Sequence, residues 1–138
     1  MGRGALKMPR PELYRRIAER YAEASQLTNN DVPEASGFSA YHAFESIGCA
    51  WIRYHGQHVP LRPHSAKINV FVRLSHGQRF GRGVATLAIL LNSLRNEMLY
   101  PAQDGGAYVL PETRISSTNA RDLLRRVRGV IRQVSANL

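Results

Sequence analysis

The stretch "HSAKINVFVRLSH", residues 64–76, decides the fold class. Its centre, Val70, Phe71 and Val72, favours a strand by intrinsic preference. A strand needs a partner, and no second strong strand pattern occurs in the chain. An isolated strand does not hold in water. The segment therefore reads as a short helix, and the chain as all-α.

Four longer helices are predicted around it. The first runs from about Pro11 to Leu27, with Leu13, Tyr14, Ile17, Tyr21 and Ala24 as its apolar stripe. Pro11 suits a first turn, where the amide has no intrahelical partner. "NNDVPEASG", residues 29–37, reads as a loop. The second helix is expected from Ser39, as N-cap, to His55. Ala40, Ala43, Phe44, Ile47, Trp51 and Tyr54 share its core face. His42, Glu45, Ser46, Cys49 and Arg53 share the opposite, polar face.

"GQHVPLRP" separates that helix from the 64–76 segment. A further helix spans about Arg82 to Tyr100 and stops before Pro101. Its stripe is Val84, Leu87, Ala88, Leu91, Leu94 and Met98. "AQDGGAYVLPETRI", residues 102–115, reads as a loop. The last helix starts at the cap cluster Ser116, Ser117, Thr118 and Asn119 and runs to about Ala136. Leu123, Val127, Val130, Ile131 and Val134 form its core face, with Leu124 at the edge. Amphipathic helices with short connections define an up-and-down bundle of four to five helices in one domain, residues 1–138. Residues 1–9 are expected to form a flexible arm.

Composition narrows the function. Apolar residues make up 43% of 138, which suits a globular domain and excludes a disordered chain. No stretch approaches the roughly 18–20 apolar residues of a membrane span. "MGRGALKMPRP" lacks the apolar centre of a signal peptide. Cys49 is the only cysteine, so an intrachain disulfide is excluded and a reducing cytoplasm is the expected compartment. The net charge is +9, and 17 of the 19 basic residues are arginine. Arginine forks onto phosphate as lysine cannot. An acidic partner, nucleic acid first, is one reading; an arginine-rich compositional bias is the other.

Arg95 is the odd residue. At 100° per residue it falls between Leu91 and Met98, inside the buried stripe. A buried charge without a partner costs several kcal/mol. Three accounts stand: a salt bridge to a neighbouring carboxylate such as Glu45, placement near the negative end of its helix, or an anion site. Arg121, Arg125, Arg128 and Arg132 recur at i, i+4, i+7 and i+11 on the last helix. That ladder either tracks a nucleic-acid backbone or is a solvated face.

His55, His58 and His64 lie close in sequence, yet "HGQHVPLRPH" matches no zinc spacing, so no metal site is assigned. "SHGQRFGRGV" has glycines before a helix but no preceding strand and no Lys-Ser/Thr pair, so no nucleotide cofactor loop is assigned and no cofactor is expected. Nothing in the sequence lowers the pKa of Cys49, which argues against a nucleophile.

"LLNSLRNEMLYP", residues 90–101, resembles the signature helix of the HEPN family (higher eukaryotes and prokaryotes nucleotide-binding). That helix carries Arg-Asn, a spacer and then His. "SAYHAFESIGCAWIRYHG" resembles the family's long second helix, and "PHSAKINVFVRL" the short one after it. "ARDLLRRVRGVIRQV" fits its closing helix, so the likeness covers about residues 10–136. The resemblance implies a helical homodimer whose signature helices meet at a cleft acting on RNA. It also implies a toxin–antitoxin setting with a nucleotidyltransferase as partner; other members bind nucleotides or act as accessory modules.

Under that resemblance Arg95, Asn96 and Tyr100 form the catalytic set. Arg95 would hold phosphate, and Asn96 would anchor Arg95 or the substrate. Tyr100 departs from the pattern, since active members carry His there. Tyrosine, with an ordinary pKa of about 10, is a poor base at neutral pH but donates hydrogen bonds and stacks on bases. Tyr100 is also the candidate for modification by a partner nucleotidyltransferase. Two functions follow as expectations: binding of RNA or nucleotide phosphate with metal-independent ribonuclease activity, or a non-catalytic module that docks the partner.

Overall fold

The computed structural model describes residues 9–99, 102–111 and 114–138, with backbone alone at 96–99, 102–104 and 107–109. Its elements, in order, are α1 (Pro11–Thr28), α2 (Pro33–Tyr54), α3 (His64–Leu74), α4 (Gly81–Leu99), β1 (Ala102–Asp104), β2 (Ala107–Val109) and α5 (Ser117–Ser135). The chain is a helical bundle, and the segment read as a short helix is helical over His64–Leu74. Ile68 and Phe71 of α3 turn inward and are buried. Among the described residues no helix is long and apolar enough to cross a membrane.

The bundle is built around α2, which packs against α1, α3, α4 and α5. It carries apolar or small residues on every side, and Tyr41, Cys49 and Ile52 are buried together with Ala40, Phe44 and Ile47. The expected polar face of α2 is therefore not a solvated one: Glu45 and Cys49 are buried. The reason is α3, which folds back across that face. Gly48 makes the approach close enough, since a Cβ there would stand 2.6 Å from Phe71 Cδ2. The Phe44 and Phe71 rings meet at 5.3 Å. Trp51 Nε1 donates to the Leu74 carbonyl at 2.9 Å, so its indole is buried without an unmet donor.

The expected core stripe of α1 is also corrected. Leu13, Ile17 and Tyr21 are exposed, and the buried face is Ala18, Ala22 and Ser25. Small residues allow a close crossing with α2. Ser36 Oγ donates to the Ser25 carbonyl at 2.7 Å and lies 2.9 Å from Ser25 Oγ. Apolar periodicity overlooks such a face because alanine and serine weigh little in it.

The start of α2 differs as well. It begins at Pro33, inside the predicted loop, and Ser39 lies within the helix rather than at its cap. Proline suits a first helical position, and Glu34 complements the positive end of the helix. Residues 102–109, expected as loop, form a two-stranded antiparallel hairpin. Gly105 and Gly106, at φ 58° and 87°, supply the two left-handed positions of its turn.

The cap of α5 stands where it was expected. Ser116 Oγ accepts from the Asn119 amide at 3.1 Å, and Leu123, Leu124, Val127, Val130 and Val134 are buried behind it. Ser116→Ala should lower unfolding free energy by about 1 kcal/mol in denaturant titration, with an unchanged m-value.

Candidate functional site

Helices α2, α3 and α4 leave a cavity of about 600 Å³, lined by Tyr41, Arg62, Pro63, His64, Ser65, Asn92 and Arg95. Each side chain arrives for a local reason. Tyr41 lies on the face of α2 that α3 and α4 cover. His64 and Ser65 open α3 just after Pro63, whose extended backbone caps the helix start. Arg95 sits one turn beyond Leu91, at the edge of the buried stripe of α4.

Arg95 does not pair with Glu45. Its guanidinium lies over the Tyr41 ring, with Cζ 5.7 Å from the centroid. Its Nε is buried and has no hydrogen-bond partner among the described residues. Arg95 also precedes the last turn of α4, beyond the reach of most of the helix-end effect. Glu45 is thus not the carboxylate that holds Arg95. A cation on an aromatic face keeps donors available for a ligand.

Glu45 has other partners. Oε2 accepts from His64 Nδ1 at 2.9 Å, and Oε1 lies 3.6 Å from Lys67 Nζ. A buried carboxylate is tolerated only with such compensation. Burial, with help from the Glu45 charge and against Arg95, pushes the Tyr41 phenol up to about 12. Tyr41 therefore stays protonated at neutral pH, a donor and not a base. Burial also moves His42 below its ordinary 6.5, opposed by Glu45 and aided by His64, Arg95 and Lys67. His42 is neutral at pH 7, packed between the Tyr21 ring at 5.1 Å and the edge of Phe38 at 4.4 Å.

The other sequence candidates are placed as follows. Asn96 lies on α4 with its side chain outside the described residues, and Tyr100 lies outside them altogether. Arg121, Arg125 and Arg132 are exposed on α5, and Arg128 is half-buried. Arg121 donates to Asn30 Oδ1 at 2.6 Å, and Arg125 pairs with Asp122. Arg128 and Arg132 line a groove against Glu19 of α1. Two of the four thus already have protein partners. His55 packs edge-on to Trp51 at 4.6 Å, away from the His64–Glu45 pair. Among the described residues no three His, Cys, Asp or Glu side chains gather as metal ligands.

Cys49 is buried, and desolvation pushes its thiol from 9.0 up to about 12, with Lys67 opposing and Glu45 adding. Native protein should therefore react with a thiol reagent at pH 8 at least about 10³-fold more slowly than unfolded protein, followed by absorbance. Rapid reaction of the folded chain would show that α3 does not cover this face.

Tyr41, Arg62, His64 and Lys67 were not read as site residues from the sequence. The signal lay in α2. Tyr41, Cys49 and Ile52 flank Glu45 at helical spacing, so that face carries a second apolar stripe with a carboxylate set into it. The identity of Glu45's partners depends on how α3 folds back, which no local pattern encodes. No protein-family model, curated protein or solved structure matches this chain.

Proposed function

We propose that this chain is a HEPN-like protein of toxin–antitoxin type that holds the phosphate of RNA or of a nucleotide at the Arg95 cavity. Metal-independent RNA cleavage is the candidate reaction. One observation carries the reading: a half-buried arginine whose Nε has no partner among the described residues, held over Tyr41 beside a cavity that Arg62 and His64 also line. A planar guanidinium with free donors suits bidentate phosphate binding. The net charge of +9 favours approach of a polyanion. The reading includes a homodimer in which two such cavities face one cleft. Binding of labelled single-stranded RNA to wild type and to Arg95→Ala, measured in EDTA, tests it; equal affinities would remove the site.

A second reading has its own observation. Leu13, Ile17, Tyr21 and Ala24 floor an open groove of about 510 Å³ on α1, edged by Arg16 and Arg20. An exposed apolar stripe with a basic rim suits a docking surface. On this reading the chain is a non-catalytic module that docks a nucleotidyltransferase, and RNA affinity is indifferent to Arg95.

A further inference from the structure

The cavity holds a histidine that the signature motif does not include. We propose that His64, oriented by the buried Glu45, is the proton acceptor for RNA cleavage at this site, and that Glu45 is its positioning residue. The proposal rests on the phosphate-binding reading of Arg95 above.

The geometry supports it in three ways. A carboxylate only accepts hydrogen bonds, so the 2.9 Å contact makes His64 Nδ1 the protonated nitrogen. Nε2 then carries the lone pair whenever the ring is neutral, and among the described residues it has no partner. The His64 side chain is 46% exposed while that of Glu45 is 8% exposed, so the orienting group is sealed in and the working group is accessible. His64 and Arg95 line one cavity, which places a proton acceptor and an anion binder on the same ligand. Tyr41 is held protonated there and does not compete as a base.

The step balances without metal or cofactor. His64 Nε2 takes the proton of a ribose 2′-hydroxyl, and that oxygen forms a bond to the adjacent phosphorus. The bond from phosphorus to the 5′-oxygen breaks, and the leaving oxygen takes a proton from water. The products are a 2′,3′-cyclic phosphate end and a free 5′-hydroxyl. His64 then returns its proton to the hydroxide left by that water. Arg95 bears the negative charge that builds on the non-bridging phosphate oxygens.

The test uses the full chain and a short single-stranded RNA in EDTA, beside a fully 2′-O-methylated copy that binds but lacks the attacking hydroxyl. Wild type should leave cyclic phosphate ends. His64→Gln, which retains an amide donor for Glu45, should lose about 10²–10⁴-fold in cleavage rate. Its affinity for the methylated RNA should stay within about threefold, because a general base contributes to proton transfer more than to binding. Added imidazole should restore part of the rate in His64→Ala, a rescue that a merely structural role would not give.

Glu45→Gln should cut the rate and alter the pH–rate profile. The groups facing His64 in that profile are Glu45, Tyr41 and His42 from α2, Lys67 from α3, Arg62 before it and Arg95 from α4. If His64→Gln cleaves as fast as wild type, the proposal is wrong. The same follows if wild type binds RNA through Arg95 and leaves it intact. If Arg95→Ala binds RNA like wild type, the phosphate-binding reading fails first and this proposal falls with it.

Discussion

Arg95→Ala is expected to weaken binding of single-stranded RNA by about 10–100-fold at fixed salt. One charge-assisted pair of hydrogen bonds is worth about 1.5–3 kcal/mol, which corresponds to that range. Any cleavage should fall further, by about 10²–10³-fold, because the charge on phosphate is largest in the transition state. Arg95→Lys separates charge from shape. It keeps the cation but loses the planar fork, so its affinity should lie between wild type and alanine. The fold should survive both changes. Arg95 makes no ion pair among the described residues, and its removal relieves a buried unmet donor. Far-ultraviolet circular dichroism and the thermal midpoint should therefore stay near wild type. A variant that unfolds would make Arg95 a structural residue.

The second large effect concerns the packing beneath the site. Phe71→Ala should destabilise the chain by about 3–5 kcal/mol in denaturant titration. Phe71 is fully buried against Phe44 and Gly48, where a shorter side chain leaves a cavity the backbone cannot close. The consequence reaches the cavity. Phe71 anchors α3, and α3 carries both His64 and Lys67 to Glu45. Loosening that anchor should expose the buried Glu45 carboxylate and speed the reaction of Cys49 with thiol reagents. A Phe71→Ala protein of unchanged stability would mean that α3 is not docked on α2.

The bundle was legible because its helices are amphipathic or flanked by clear stops. The 64–76 segment was resolved by the lack of a partner strand, and its helix buries Ile68 and Phe71. The faces of α1 and α2 were less legible. In α1 the contact face is made of Ala18, Ala22 and Ser25, which gain their stability from closeness and two serine hydrogen bonds rather than from apolar area. In α2 a carboxylate stands on a buried face because a histidine and a lysine come from a later helix. Arg95 was visible in the sequence as a charge at an apolar position. Its surroundings were not, since Tyr41, Arg62 and His64 come from other elements and meet it only in the folded chain. A family motif centres attention on residues of one helix. A cavity draws on every element that borders it, and here it brings a histidine, His64, beside Arg95.

The most direct measurement is a crystal structure of the chain with a short 2′-O-methylated RNA, grown without divalent metal. A phosphate seated against the Arg95 guanidinium, with the adjacent ribose beside His64, is the expected result. RNA lying along Arg121, Arg125, Arg128 and Arg132 with nothing bound at Arg95 would contradict it.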